Sequence, residues 1–165
     1  WKYHKEGLKA PPCRLTSFSS KEVEKWKRVI PFFQYVDKIF KRLVPKNYAK
    51  QYERAVQTEY VIPKTCFSTV TINHNWRTAL HKDAGDFAQG YGNLIVIDDD
   101  NYTGGYTGFP QYGVCVNVRR GDFLAMDVHK WHCNTELLKK KGKKDFNRLS
   151  IVCYLREKML RCKNN

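Results

Sequence analysis

No stretch of this chain approaches the roughly 20 consecutive apolar residues needed to cross a bilayer. Uncharged runs such as Leu94–Ile97 and Val114–Val118 are far shorter, which leaves no membrane span to expect. No charged-then-apolar segment with a small-residue cleavage site is visible, so no secretory address is read. The chain opens on Trp1 rather than Met, as a trimmed chain or fragment would. No CxxC pair occurs among the six cysteines, Cys13, Cys66, Cys115, Cys133, Cys153 and Cys162. Zinc-ribbon and thioredoxin-type chemistry therefore has no support. Cys115 and Cys153 lie inside apolar runs and read as small buried hydrophobes in strands, which suits a reducing compartment, cytosol or nucleus. No internal repeat or low-complexity linker separates one part of the 165 residues from another. Acidic residues are scarce, 16 against 30 Lys and Arg, leaving a net charge of +14. A field of that sign attracts polyanions, nucleic acid first.

What is present is a core-forming composition: 42% hydrophobic residues, with 4 Trp, 10 Tyr and 9 Phe. That is too apolar for a disordered segment and fits one globular domain over residues 1–165. Ser19-Ser20 followed by Glu22 and Glu24 predicts a helix start. Val23, Trp26, Val29 and Ile30, then Phe32, Val36, Ile39, Phe40 and Leu43 after Pro31, recur at helical spacing. Pro45 stops that run, and Asn47 caps a further helix to about Gln57, with Pro63 beyond it. Residues 1–64 are thus expected to be a mainly helical support.

From Cys66 the texture changes to short β-branched and aromatic runs punctuated by Gly, Asn and Asp. Strands are predicted at Phe67–Asn73, Leu94–Ile97, Val114–Val118, Phe123–Asp127 and Leu149–Leu155. Asp98–Asn101 and Gly104–Gly108 read as turns or loops, and Lys139–Lys144 as a solvated lysine loop. The fold class is mostly β with N-terminal helices, with a double-stranded β-helix over residues 65–158.

His81-Lys82-Asp83 places an imidazole and a carboxylate on one side of an extended segment. With a distant third ligand they form the 2-His-1-carboxylate triad, which leaves three Fe(II) positions open for a 2-oxo acid and O2. The pair alone is a weak signal. It is sharpened by the order downstream: Gly104–Pro110, the Val114–Val118 strand, the Arg119-Arg120-Gly121-Asp122 turn, the Phe123–Asp127 strand, then Val128-His129-Lys130-Trp131-His132. His132 is the preferred distal ligand and His129 the alternative; His74 and His4 are placed in a loop and the N-terminal tail. Arg148, opening the last strand, offers a guanidinium fork for the far carboxylate of 2-oxoglutarate. Such a fork keeps a dicarboxylate from being buried with one end unpaired.

TVTINHNWRTALHKDAGDF (Thr69–Phe87), GGYTGFPQYGVCVNVRRGDFLAMDVHKWHCNT (Gly104–Thr135), NRLSIVCYL (Asn147–Leu155) and LVPKNYAKQ (Leu43–Gln51) together resemble the TET/JBP superfamily of Fe(II)/2-oxoglutarate dioxygenases. The thymine-hydroxylase domain of base J-binding proteins is the nearest match. The resemblance implies that His81, Asp83 and His132 hold iron and that Arg148 binds 2-oxoglutarate. It places Asp86 where TET-type members present a polar residue to a flipped base, against a bland reading as a turn cap. Arg77 is assigned to the nearer carboxylate of 2-oxoglutarate or to a substrate phosphate, against a bland reading as a surface charge. Arg119, Arg120 and the Lys139–Lys144 run are the expected phosphate contacts. The implied reaction consumes 2-oxoglutarate and O2, with ascorbate as reductant in vitro, and oxidises the 5-methyl group of thymine or 5-methylcytosine in nucleic acid, DNA first. A monomer acting inside the cell, in the nucleus or in the cytoplasm of an infected host, is expected. The chain departs from the family in lacking the cysteine-rich zinc-binding region of animal TET enzymes and any separate base J-recognition domain. Two rivals are weighed: the same chemistry on a protein side chain or small molecule, and a non-catalytic barrel.

Overall fold

A computed structural model describes residues 15–161. Among these residues three helices come first: α1 (Ser17–Lys21), α2 (Val23–Leu43) and α3 (Pro45–Ala55). The chain enters α1 through Thr16, whose hydroxyl accepts from the Ser19 backbone N–H. The cap is therefore Thr16 and not the Ser19-Ser20 pair, which lies inside this short helix. α2 runs unbroken through Pro31. Pro45 occupies the first turn of α3, where its missing N–H has no intrahelical partner to lose, so it opens that helix instead of only ending the previous one.

Nine strands follow: β1 (Thr69–His74), β2 (Gly92–Asp98), β3 (Tyr102–Gly104), β4 (Thr107–Phe109), β5 (Val114–Val116), β6 (Phe123–Met126), β7 (Cys133–Asn134), β8 (Leu137–Lys139) and β9 (Arg148–Tyr154). They form an antiparallel four-stranded sheet in the order β1-β9-β2-β6. Facing it are the three-stranded sheet β5-β4-β7 and the pair β3-β8. This is the expected double-stranded β-helix, a jelly roll with helices on one flank.

Alternation along β2 and β9 explains why both faces are covered. Ile95, Ile151 and Cys153 point outward and pack with Phe33, Val36 and Phe40 of α2, Tyr48 and Ala55 of α3, and Phe67. Leu94 and Val96 point inward and pack with Val118, Met126 and Val128. A strand buried on both faces reads as a continuous apolar run, which is why these two were legible. Polar stitching fixes the helices on the sheet: buried Asp37 accepts from the Tyr48 hydroxyl (3.0 Å) and the Cys66 N–H (2.8 Å). Gln51 donates to the Cys66 carbonyl (3.1 Å) and accepts from the Tyr91 N–H (3.0 Å).

Two further expectations need correction. Gly104–Gly108 is not wholly loop, because its ends belong to β3 and β4. Cys115 is exposed while Cys153 is buried, since β5 is an edge strand of the small sheet and an apolar run there is not covered on both sides. Cys13, Cys162 and His4 lie outside the described residues.

Candidate active site

The inner face of β9 presents Arg148, Ser150, Val152 and Tyr154, alternate residues of one strand. Together with Thr71 and Asn73 of β1 they form one wall of a cleft of about 320 Å3. The opposite wall carries Thr107, His132, Cys133 and Asn134. Residues 78–81 run along the β7 side of the small sheet like a further strand. The Asn134 N–H donates to the Thr78 carbonyl (2.9 Å), and His81 and His132 exchange both backbone hydrogen bonds (3.0 Å each). That pairing brings together two histidines far apart in the sequence.

The ligand atoms of His81, Asp83 and His132 all lie within 4.8 Å of one another. His132 is 6% exposed. Each imidazole has its Nδ1 against the carbonyl two residues earlier, His81 at 2.8 Å from Ala79 O and His132 at 2.9 Å from Lys130 O. A carbonyl only accepts, so both Nδ1 atoms carry a proton, and in the neutral ring that a metal ligand requires both Nε2 atoms present a lone pair. The His81 Nε2 then stands 3.1 Å from the Asp83 Oδ1, a contact of two electron-rich atoms that a cation between them relieves. This donor set, two imidazole nitrogens and one carboxylate on one side of a site, fits a non-haem ferrous ion.

Arg148 is 1% exposed. Its Nη2 donates to the Gly105 carbonyl (3.3 Å), while its Nε is buried without a partner. No carboxylate approaches it within 4.0 Å among the described residues. Asp98, opposite it in the sheet register, is occupied by the Tyr102 hydroxyl (2.8 Å) and the Asp100 N–H (3.0 Å). The Thr107 hydroxyl, also in the cleft wall, is likewise buried and unpartnered. A buried guanidinium without a counter-ion is costly. These orphaned donors at the closed end of the cleft fit the far carboxylate of a dicarboxylic acid such as 2-oxoglutarate.

The family described as the oxygenase domain of the 2OGFeDO superfamily, Tet_JBP, matches residues 1–157. This chain belongs to that family. Like other 2OGFeDO domains, it is built for Fe(II) and 2-oxoglutarate. It is 40% identical over 144 residues to thymine dioxygenase JBP1 of Trypanosoma brucei brucei, an alignment covering 87% of this chain and 17% of that protein. Against the bifunctional helicase and thymine dioxygenase JBP2 of Trypanosoma brucei brucei (strain 927/4 GUTat10.1) the figures are 37% over 148 residues, 87% and 13%. The chain thus spans under a fifth of the length of these relatives. In fold it is similar to NgTET1 solved in complex with 5mC DNA, with a TM-score of 0.69 and 15% identity, covering 91% of this chain and 58% of that one.

Asp86 also lines the cleft of this Tet_JBP domain. Burial, and then the nearby Asp83 carboxylate, push its carboxyl up to about 6, against the opposing pull of His129 and Arg156. Its Oδ2 is buried and unpartnered. Four of the residues singled out from the sequence stand elsewhere. His129 is turned to the Phe87 carbonyl (3.3 Å) and does not join the cluster of ligands. Arg77 is exposed and absent from the cleft lining, although its neighbours Trp76 and Thr78 are part of it. Arg119 is a clamp and not a free cation: it donates to the Gly104 carbonyl (3.0 Å), with its guanidinium 4.5 Å from the Tyr102 ring centre and 5.5 Å from that of Tyr106. Arg120 is exposed in the same turn, also outside the cleft lining. Sequence reasoning missed Thr107, Ser150, Tyr154, Trp76 and Arg156 in that lining. Counting by twos from Arg148 along β9 reaches Ser150, Tyr154 and Arg156; Thr107, in the Gly104–Gly108 stretch that reads as loop, gave no signal.

Proposed function

We propose that this chain is the catalytic domain of a dioxygenase that oxidises the 5-methyl group of a pyrimidine, thymine or 5-methylcytosine, in DNA. The observation that carries the reading is one cleft holding three convergent ligands beside a buried, unpaired Arg148, in a chain similar to thymine dioxygenases over most of its length. His81, Asp83 and His132 would hold Fe(II). Arg148, with Thr107, would hold the far carboxylate of 2-oxoglutarate. With both bound, the site supplies oxidation of an unactivated C–H bond by O2, releasing succinate and CO2, with ascorbate as reductant in vitro.

The remaining cleft residues position the base. Asp86, an acceptor when ionised, shares the cleft lining with the Arg156 donors. Such a pair matches a pyrimidine edge carrying an N–H beside carbonyl oxygens. The 5-methyl of an extruded base, its edge held at Asp86 and Arg156, would point towards the metal ligands. Val152, Leu94 and Met126 line the same cleft and limit water at that position. Arg77, exposed beside the rim, suits a phosphate and not the co-substrate. The net charge of +14 supports a polyanionic partner. The domain would act as a monomer inside the cell, in the compartment that holds the DNA.

The test is mass spectrometry of nucleosides after incubating the protein with Fe(II), 2-oxoglutarate and ascorbate on oligonucleotides containing thymine or 5-methylcytosine. A hydroxymethylated pyrimidine is expected and should vanish in Asp83→Ala. Turnover of 2-oxoglutarate to succinate with no base product on any oligonucleotide would sink the base assignment while leaving the co-substrate assignment standing.

A further inference from the structure

Trp76 is 64% exposed and yet forms part of the cleft lining. The chain around it is pinned. Asn75 before it has φ of 49°, a left-handed conformation that costs a non-glycine residue free energy unless its surroundings enforce it. They do so through three hydrogen bonds. The Asn75 N–H donates to the Arg148 carbonyl (2.9 Å), its Oδ1 accepts from the Arg148 N–H (2.7 Å), and its Nδ2 donates to the Phe146 carbonyl (2.8 Å). Two residues after Trp76, Thr78 accepts from Asn134. A backbone held at both ends thus presents a large flat apolar side chain to solvent at the mouth of the cleft. Nothing in the folding of the domain accounts for this: the indole buries little area there, and among the described residues no ring or cation stacks on it. Trp131, the other exposed tryptophan near the ligands, differs in having Lys82 5.1 Å from its ring centre.

Resting on the base-oxidation reading, we infer that Trp76 is the side chain that enters the DNA stack and fills the gap left when the target nucleotide is extruded into the cleft. A nucleotide in a duplex is reached only at the cost of unpairing and unstacking. Apolar wedges between base steps are a general way to offset that cost. The position needs a stiff, planar, apolar group beside the pocket that receives the base, with a cation next to it for the flanking phosphate. Trp76, presented by Asn75 and followed by exposed Arg77, has these properties. The role is one of positioning, since the indole does not touch the reacting atoms.

The experiment compares binding and rate on matched DNA. Wild-type protein with Fe(II) and 2-oxoglutarate, kept free of O2, is titrated with a paired duplex and with the same duplex carrying an abasic site at the target position. There is no base to extrude in the second, so a wedge fills a ready-made gap and the abasic duplex binds more tightly. Trp76→Ala should reduce that preference about tenfold, a loss on the scale of one base–aromatic stack; Trp76→Phe should keep most of it. In parallel the ratio of oxidation rates on duplex and single-stranded DNA should fall about tenfold in Trp76→Ala, since only the duplex must be opened. An unchanged preference and an unchanged ratio in Trp76→Ala overturn the inference. Equal losses on duplex and single strand also overturn it, because they mark a pocket wall. If the wild-type protein oxidises neither substrate, the base-oxidation reading fails and the wedge fails with it; if it oxidises both and Trp76→Ala shifts neither ratio, only the wedge fails.

Discussion

A fully buried guanidinium that leaves its Nε without a partner suits a carboxylate brought by a co-substrate. Arg148→Gln keeps a polar donor but removes the charge and the fork. Each charge-assisted bond lost costs about 1.5–3 kcal/mol, so the 2-oxoglutarate dissociation constant should rise by about two orders of magnitude. Calorimetric titration of the metal-loaded protein measures this directly. The rise in melting temperature that 2-oxoglutarate gives the wild type should disappear at the same ligand concentration, because stabilisation by a ligand follows its affinity for the folded state. A variant that kept both would place the co-substrate's anchor elsewhere. Asp86 makes a second prediction at this scale. In the metal-free protein its folded value, about 6, lies above the ordinary carboxyl value of 3.8. The folded state therefore favours the protonated carboxyl. The associated stabilisation is full below about 3.8 and is lost as pH rises through about 6. Between pH 5 and pH 7 wild-type protein should lose more stability than Asp86→Asn, as measured by urea denaturation at each pH. Parallel profiles would mean that the carboxyl is not held neutral by burial and by Asp83.

The β3–β4 corner does the most for the site among the elements, since it supplies the Gly105 carbonyl for Arg148 and the Gly104 carbonyl for Arg119. Gly104 has φ of +74°, and a Cβ there would fall 1.8 Å from the Glu136 carbonyl oxygen. Gly104→Ala must therefore shift backbone, and it should lose about 3 kcal/mol or more of unfolding free energy. Gly113→Ala is the control: its φ is +63° but nothing lies within 4 Å, so about 1 kcal/mol of conformational cost is expected. Urea denaturation of both variants checks the difference. The same corner marks the limit of what could be read in the sequence. β1, β2 and β9 announce themselves as β-branched runs and β6 as an apolar one, and α2 and α3 by their spacing. β3, β4, β7 and β8 have two or three residues each, too few for any periodicity, and glycines made Gly104–Gly108 look like loop. At the site, His81, Asp83, His132 and Arg148 stood out because their chemistry is rare in that order. Thr107, Ser150 and Trp76 are ordinary residues that acquire meaning only from the wall they share. Arg119 misled for the opposite reason: a charge in a turn reads as solvated, and only the fold shows two tyrosine rings and a carbonyl around it.

Over the whole molecule, the excess positive charge is divided between two kinds of residue. Some cations are consumed within the fold: Arg119 in its clamp, Lys140 against Asp100 (2.9 Å) and Arg54 against Glu157 (2.9 Å). Others, including Lys141, Lys143 and Lys144 in the loop after β8, are exposed. Only the second kind can exchange condensed counter-ions on DNA for protein charge, and each phosphate contact so made contributes about 0.9 to the slope of log affinity against log salt. Replacing Lys141, Lys143 and Lys144 together with glutamine should therefore reduce that slope by up to about 3 and weaken binding equally for all sequences. Arg119→Ala should leave the slope unchanged and instead lower the melting temperature, because it strips packing from Tyr102 and frees the Gly104 carbonyl. Fluorescence anisotropy with labelled duplex across a salt series, with thermal denaturation alongside, separates the two effects. A slope that falls for Arg119→Ala and holds for the triple lysine variant would move the DNA path to the clamp side of the barrel and away from the lysine loop.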